Sequence, residues 1–242
     1  MKPNSISAYD LPQRVASYDA DMELMHPNRA EMVRIALEIL PFPRGSSLRA
    51  IDLGVGTGYF TQRFLEWFPN SRVLAIDGAR AMIDLARARL GVLASNVTFR
   101  LGDFQQRDQL GLGTWNADVV FSSYALHHLD RSQKRELIRW AVGLLRPGGW
   151  FLNADLVVAD SVEAERRIQQ IRVESIVARA QGADARFRDA AATRDFLDRM
   201  EAEEGDQPLT LLADLEILRR SGLRSASAFW LEYRELLSGG QK

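Results

Sequence analysis

The 242-residue chain contains no cysteine, which excludes a disulfide framework, a thiolate metal site and a cysteine nucleophile. It also lacks any run of eighteen apolar residues, and Met1-Lys2-Pro3-Asn4-Ser5 leads into no apolar segment. Neither a membrane span nor a signal peptide is therefore predicted, and a cytoplasmic location is expected. No sign of charge dominates: 31 basic against 32 acidic residues give a net charge of -1. Nucleic acid and membrane are accordingly not predicted as partners. Lysine occurs only at positions 2, 134 and 242, and histidine only at 26, 127 and 128. No internal repeat or low-complexity segment is present.

What the chain does have is 46% hydrophobic side chains, enough for one full core. Residues 1–45 read as a helical preface, with Met32, Ile35, Ala36, Ile39 and Leu40 at helical spacing before Pro41, Pro43 and Gly45 stop the pattern. From 46 to 242 short apolar runs alternate with amphipathic stretches, the pattern of strands joined by crossover helices. Strands are predicted at 48–53, 72–77, 97–102, 117–122 and 150–156, with two more near 224–231 and 234–238. Between about 160 and 206 the rhythm gives way to two charged helices. Residues 155–206 carry thirteen acidic side chains against eight arginines, so this segment is expected to be solvated on one face and to cap the crevice above the sheet. A helix around Leu211, Leu212, Leu215 and Leu218 follows, closed by Gly222.

Ala50-Ile51-Asp52-Leu53-Gly54-Val55-Gly56-Thr57-Gly58-Tyr59-Phe60 runs from a strand through a glycine turn into a helix. Such a turn brings main-chain N–H groups close to a ligand. A dinucleotide fingerprint requires glycine where Tyr59 stands. Asp52 would repel a polyphosphate and suits an ammonium-bearing ligand instead. The next strand ends in Asp77, nineteen residues past Gly58, where a carboxylate can accept from both ribose hydroxyls. The third ends at Gly102-Asp103-Phe104; Asp103 alone reads as a turn former, and it can also accept from an adenine amino group.

Asp52 to Gly58, Asp77, Gly102-Asp103-Phe104, Asp118 to Leu129 and Leu144-Leu145-Arg146-Pro147-Gly148-Gly149, in that order, resemble the motifs of class I S-adenosylmethionine-dependent methyltransferases. The resemblance implies a doubly wound α/β fold with a seven-stranded, mostly parallel sheet in the order 3-2-1-4-5-7-6, the last strand antiparallel. It implies S-adenosyl-L-methionine as cofactor and S-adenosyl-L-homocysteine as product. Gly54, Val55, Gly56 and Gly58 would follow the methionine part, with Asp52 and Ser122 nearby. Asp77 and Gly78 would meet the ribose, Met82, Asp103 and Phe104 the adenine. Val55 and Gly78 depart from commoner family residues. In resembling enzymes N-terminal residues close over the cofactor, which makes Tyr18, ahead of Tyr9 and Arg29, the candidate for its carboxylate.

Methyl transfer from a sulfonium is an in-line displacement in which the protein chiefly aligns the reactants. A general base helps when the acceptor is a hydroxyl or a protonated amine, and His127, after the fourth strand, is the candidate. Asn153, Asp155 and Trp230 are expected to line the acceptor crevice. His127 and His128 are expected to point apart, so no metal site is predicted. The function expected is methyl transfer to a small-molecule substrate. The alternatives are a cofactor-modifying enzyme resembling the carboxy-S-adenosylmethionine synthases, a non-catalytic cofactor binder and, more remotely, an NAD-dependent oxidoreductase, for which no Tyr-Lys pair is evident. The acceptor and the oligomeric state are not legible.

Overall fold

The computed structural model describes residues 5–113 and 115–242. Three helices come first: α1 (Ser5–Tyr9), α2 (Pro12–Met25) and α3 (Arg29–Glu38). The alternating region follows as β1 (Arg49–Leu53), α4 (Tyr59–Trp67), β2 (Arg72–Asp77), α5 (Arg80–Leu90), β3 (Val97–Leu101), β4 (Ala117–Ser123), α6 (Arg131–Leu144) and β5 (Leu145–Leu156). Then come α7 (Val162–Ala180) and α8 (Ala190–Glu204), the cap, followed by α9 (Leu211–Arg220), β6 (Ser227–Glu232) and β7 (Glu235–Gln241). The seven strands form one sheet in the order β3-β2-β1-β4-β5-β7-β6, with β7 antiparallel to both its neighbours. This is the topology expected of the family motifs. No helix among the described residues is long and apolar enough to cross a membrane.

Alternate residues of the central strands feed two cores, one on each face of the sheet. Val73, Ala75, Val119 and Phe121 pack against Met32, Phe60 and Phe64 on one side. Ile51, Leu53, Leu74, Ile76 and Val120 pack against Leu137, Ile138 and Leu218 on the other. Double-sided burial explains why these strands read as continuous apolar runs. The cap has a small core of its own, in which Val173, Ile176, Phe187 and Leu197 enclose Met25 of α2. That shared methionine ties the N-terminal helices to the cap.

Two strands are longer than predicted. β5 begins at Leu145 rather than 150, pairing Leu145 with Ala117 before a register shift brings Trp150 opposite Val119. A Cβ at Gly149 would lie 3.0 Å from the Ala117 carbonyl, so this approach needs glycine. β7 runs on to Gln241, not 238, because Gly239 lets the backbone pass where a Cβ would sit 2.1 Å from the Phe151 carbonyl oxygen. β6 starts at Ser227 instead of 224.

Candidate functional site

The glycine turn after β1 is pinned from below and open above. The Gly54 and Val55 N–H groups both donate to the Ile76 carbonyl, at 2.9 and 3.0 Å. Gly54, at φ +79°, passes where a Cβ would meet that of Ala125 at 2.5 Å, so both its conformation and its neighbour demand glycine. Asp77, at the end of β2, accepts from Gly56 N (2.8 Å) and Ala79 N (2.9 Å), which fixes its carboxylate beside the turn. Burial raises the Asp77 carboxyl above its ordinary range, and these backbone donors pull against that shift.

Above the turn lies a cleft. Asp52, Gly54, Val55, Gly56, Asp77, Gly78, Met82, Asp103, Phe104 and Tyr18 line it, as do Tyr9 and Arg29. Asp103 is also the turn former its sequence suggests, accepting from Gln105 N at 2.7 Å. Gly58 and Ser122 do not line the cleft. Gly58 backs onto α5, where a Cβ would come within 3.1 Å of the Ala86 Cα, and Ser122 Oγ donates to the Leu53 carbonyl (2.6 Å), stitching β4 to β1. Strand alternation gives the cleft to Ser123 instead.

Among the described residues seven buried side-chain polar atoms lack a hydrogen-bond partner. Four of them belong to this cleft: Asp52 Oδ1, Ser123 Oγ, Arg29 Nε and His128 Nε2. Orphaned polar atoms are rare in a folded interior, so their convergence on one cavity identifies groups poised for a ligand. Asp52 keeps one contact, from Thr61 Oγ1 at 2.6 Å. Burial, with some help from the nearby Asp77 carboxylate, pushes its pKa up to about 7. A cationic amine placed at Oδ1 would reverse that shift. Arg29 stacks 4.1 Å over the Tyr59 ring and leaves Nε free for an anion.

The histidines depart from expectation. His127 is 4% exposed and lies off the cleft. Its Nδ1 bonds Asp155 Oδ1 at 2.6 Å, and its Nε2 faces Asp206 Oδ1 at 3.5 Å. Burial would lower its pKa, but the two carboxylates outweigh burial and raise it to about 10. A histidine charged at neutral pH cannot serve as a base. His128 lines the cleft instead, with Nδ1 on Asp206 Oδ1 at 2.9 Å and Nε2 unpartnered. Burial and the charge on His127 lower its pKa, so it stays neutral. The two imidazoles do not diverge: their centroids are 4.1 Å apart, and with Asp206 they bring ligand-type atoms within 4.8 Å of one another. In its protonated form His127 joins Asp155 and Asp206 in a charge network. Asn153, Asp155 and Trp230 do not line this cleft. Asp155 is fully buried between His127 and Lys134 Nζ (3.9 Å), and Trp230 packs on the sheet core.

The fold, with its glycine turn and cleft at the strand ends, is that of a Rossmann-like protein. A family model described as a methyltransferase domain matches residues 50–149. An uncharacterised methyltransferase of Geobacillus sp. (strain WCH70) is 30% identical over 198 residues, covering 82% of this chain and 84% of that protein. Another, from Anoxybacillus flavithermus, is 33% identical over 127 residues, and the match spans 52% of this chain and 56% of that relative's length. Among solved structures, an O-methyltransferase family protein from Burkholderia thailandensis superposes with a TM-score of 0.69 at 20% identity, over 99% of this chain and 63% of that one. The chain belongs to the class I S-adenosylmethionine-dependent methyltransferases. The cofactor expected from the sequence motifs is the family's own, and the nicotinamide alternative falls with that assignment.

Proposed function

We propose that the protein transfers the methyl group of S-adenosylmethionine to a small-molecule acceptor, with His128 as the general base. The observation that carries this reading is the group of orphaned atoms in the cleft. Asp52 would hold the cofactor's ammonium, and Arg29, aided by Tyr18, its carboxylate. Asp77 would hold the ribose hydroxyls, with Met82 and Phe104 against the adenine. When bound, the cofactor supplies a methyl already activated on a sulfonium sulfur. His128 Nε2, unpartnered and facing the cleft, would take the proton that the acceptor gives up on receiving that methyl. Asp206 accepts from His128 Nδ1 and so keeps the Nε2 lone pair toward the cleft. The near-neutral overall charge supports a small acceptor over a polyanion.

The test combines calorimetry with turnover. Wild type should bind S-adenosylmethionine and S-adenosylhomocysteine but not NADH, and Asp77→Ala should weaken both sulfur ligands. In a screen of hydroxyl and amine acceptors, His128→Asn should lower kcat by ~10²–10⁴ while leaving S-adenosylhomocysteine affinity unchanged. Full turnover by His128→Asn would remove the base from the scheme. NADH binding without a response to the sulfur ligands would overturn the reading as a whole.

A further inference from the structure

His127 and His128 share a single carboxylate oxygen. Asp206 Oδ1 lies 3.5 Å from His127 Nε2 and 2.9 Å from His128 Nδ1, and the two ring centroids are 4.1 Å apart. Two imidazolium charges this close repel, and one buried counter-charge between them offsets only one. The pair therefore holds one extra proton, and its surroundings decide which ring takes it. By distance to Asp206 alone, His128 has the stronger claim. It also faces Glu204 at the end of α8, although that carboxylate is bound to Arg14 of α2 at 2.7 Å.

What reverses that preference lies away from the cleft. Asp155 of β5, fully buried, places Oδ1 2.6 Å from His127 Nδ1. The Leu156 N–H donates to the same oxygen at 2.9 Å and Asn153 Nδ2 approaches the other at 3.4 Å, which holds the carboxylate in this pose. Lys134 of α6, also fully buried, stands 3.9 Å from Asp155 Oδ2 but only 2.8 Å from Asp214 of α9. Asp155 is thus engaged chiefly by His127, and acid and base alternate from Asp214 through Lys134, Asp155 and His127 to Asp206. His26, the remaining histidine close to this line, is bonded to Glu235 at 2.6 Å and adds no charge, because burial lowers its pKa. A ring set between two carboxylates holds a proton more firmly than a ring beside one of them. The raised pKa of His127 and the lowered pKa of His128 agree with that order.

We propose that Asp155 is a positioning residue for methyl transfer: by fixing the shared proton on His127, it leaves His128 neutral, with its one proton on Nδ1 toward Asp206 and its Nε2 lone pair toward the acceptor. The proposal rests on the reading of His128 as the base. Neither Asp155 nor His127 lines the cleft, so their influence passes through Asp206. Without the Asp155 charge the proton moves to His128, Nε2 is occupied, and the base is lost.

The test is nitrogen NMR of the imidazoles in histidine-labelled protein across neutral and alkaline pH, without ligand, so that the outcome does not depend on the cofactor. Only three histidines contribute, and His26→Asn and His128→Asn assign them. Wild type at neutral pH should show His127 charged and His128 neutral, protonated at Nδ1. In Asp155→Asn the charge should pass to His128 and raise its titration midpoint by about one pH unit or more. His127→Asn should do the same from the other side, by leaving Asp206 to His128 alone. Residues that merely support the fold would leave His128 neutral in both variants. That result, or a charged His128 in wild type, which needs neither variant to fold, would overturn the proposal. With any acceptor that is turned over, the acidic limb of kcat against pH should rise in Asp155→Asn by the same interval, and activity should return at higher pH. Full turnover by His128→Asn would instead strike the base assignment, and the place of the proton on His127 would stand as measured.

Discussion

Replacing Asp52 by asparagine should make the protein more stable and a worse cofactor binder, with a pH dependence that follows from the geometry. The side chain is 1% exposed, with Oδ2 bonded to Thr61 and Oδ1 without a partner. Its pKa is 3.8 ordinarily and about 7 in the fold. The folded state therefore holds a proton that the unfolded chain releases between these values, and wild-type stability falls as pH rises from 3.8 to 7. A shift of 7 - 3.8 = 3.2 pH units corresponds to about 4 kcal/mol lost by pH 8. Asparagine avoids that loss and keeps the Thr61 contact. It also buries an unpaired N–H group where Oδ1 stood, at ~1–3 kcal/mol. The net expectation is a variant roughly 1–3 kcal/mol more stable than wild type at pH 8 and less stable at pH 4, measured by urea unfolding across that range. Cofactor affinity should move the other way. An ammonium favours ionised Asp52, so wild-type affinity for S-adenosylhomocysteine should weaken as pH falls below 7, by up to about tenfold per unit. The variant should bind weakly at every pH. A pH-independent stability difference, or undiminished affinity in Asp52→Asn, would refute the assignment of Asp52 to the ammonium.

His127→Asn should destabilise the fold by ~3–5 kcal/mol at neutral pH, because it removes the nearer cation of buried Asp155 and leaves it only Lys134 Nζ at 3.9 Å, while S-adenosylhomocysteine affinity is retained. Since the folded pKa of His127 is raised from 6.5 to about 10, its stabilisation is complete below pH 6.5 and lost as pH rises through 10. The gap between the unfolding curves of wild type and variant should close over that window, and a constant gap would count against a charged His127. Gly78→Ala places a Cβ 2.5 Å from Ile6 Cδ1 and should lever α1 off the cleft. The expected result is several-fold weaker S-adenosylhomocysteine binding and faster proteolysis before residue 12, both restored by adding Ile6→Ala. Additive rather than compensating effects would show that the two residues do not couple.

The sheet was legible because its strands are buried on both faces and bounded by glycine and proline: β1, β2 and β4 fall within a residue of their apolar runs. Arg146-Pro147-Gly148-Gly149 and Gly239-Gly240 read as breaks, yet they lie within β5 and β7, since close backbone approach needs glycine where propensity disfavours it. The cofactor candidates at strand ends line the cleft because the fold brings those ends together. Two assignments missed by one residue. Ser123 rather than Ser122 faces the cleft through strand parity, and a helical turn over Leu126–His128 presents His128 rather than His127. Parity had a sequence signal in the β4 alternation; the histidine pair had none, because its choice depends on Asp206, 78 residues away. Asn153 and Asp155 looked like lining for the same reason: nothing local revealed that His127 would claim Asp155.

That distance matters for how the site works. The last turn of α8 and the residues just beyond it bond to both sides of the cleft. Glu204 accepts from Tyr9 of α1 at 2.8 Å and pairs with Arg14 of α2 at 2.7 Å, while Asp206 holds His128 and Gln207 N bonds the His127 carbonyl at 2.7 Å. α1, α2 and the proposed base are thus fastened to one short segment, residues 204–207. The acidic character that marked residues 155–206 as a solvated face is concentrated here, at its C-terminal end, where the carboxylates are drawn inward by tyrosine, arginine and histidine partners. A displacement of α1 would break the Tyr9–Glu204 bond and leave Asp206 on His128, because the two contacts come from successive carboxylates that face different elements. The Tyr9 ring of α1 also packs edge-on 5.9 Å from the His128 ring, so a displacement of α1 would uncover the proposed base as well as the cleft.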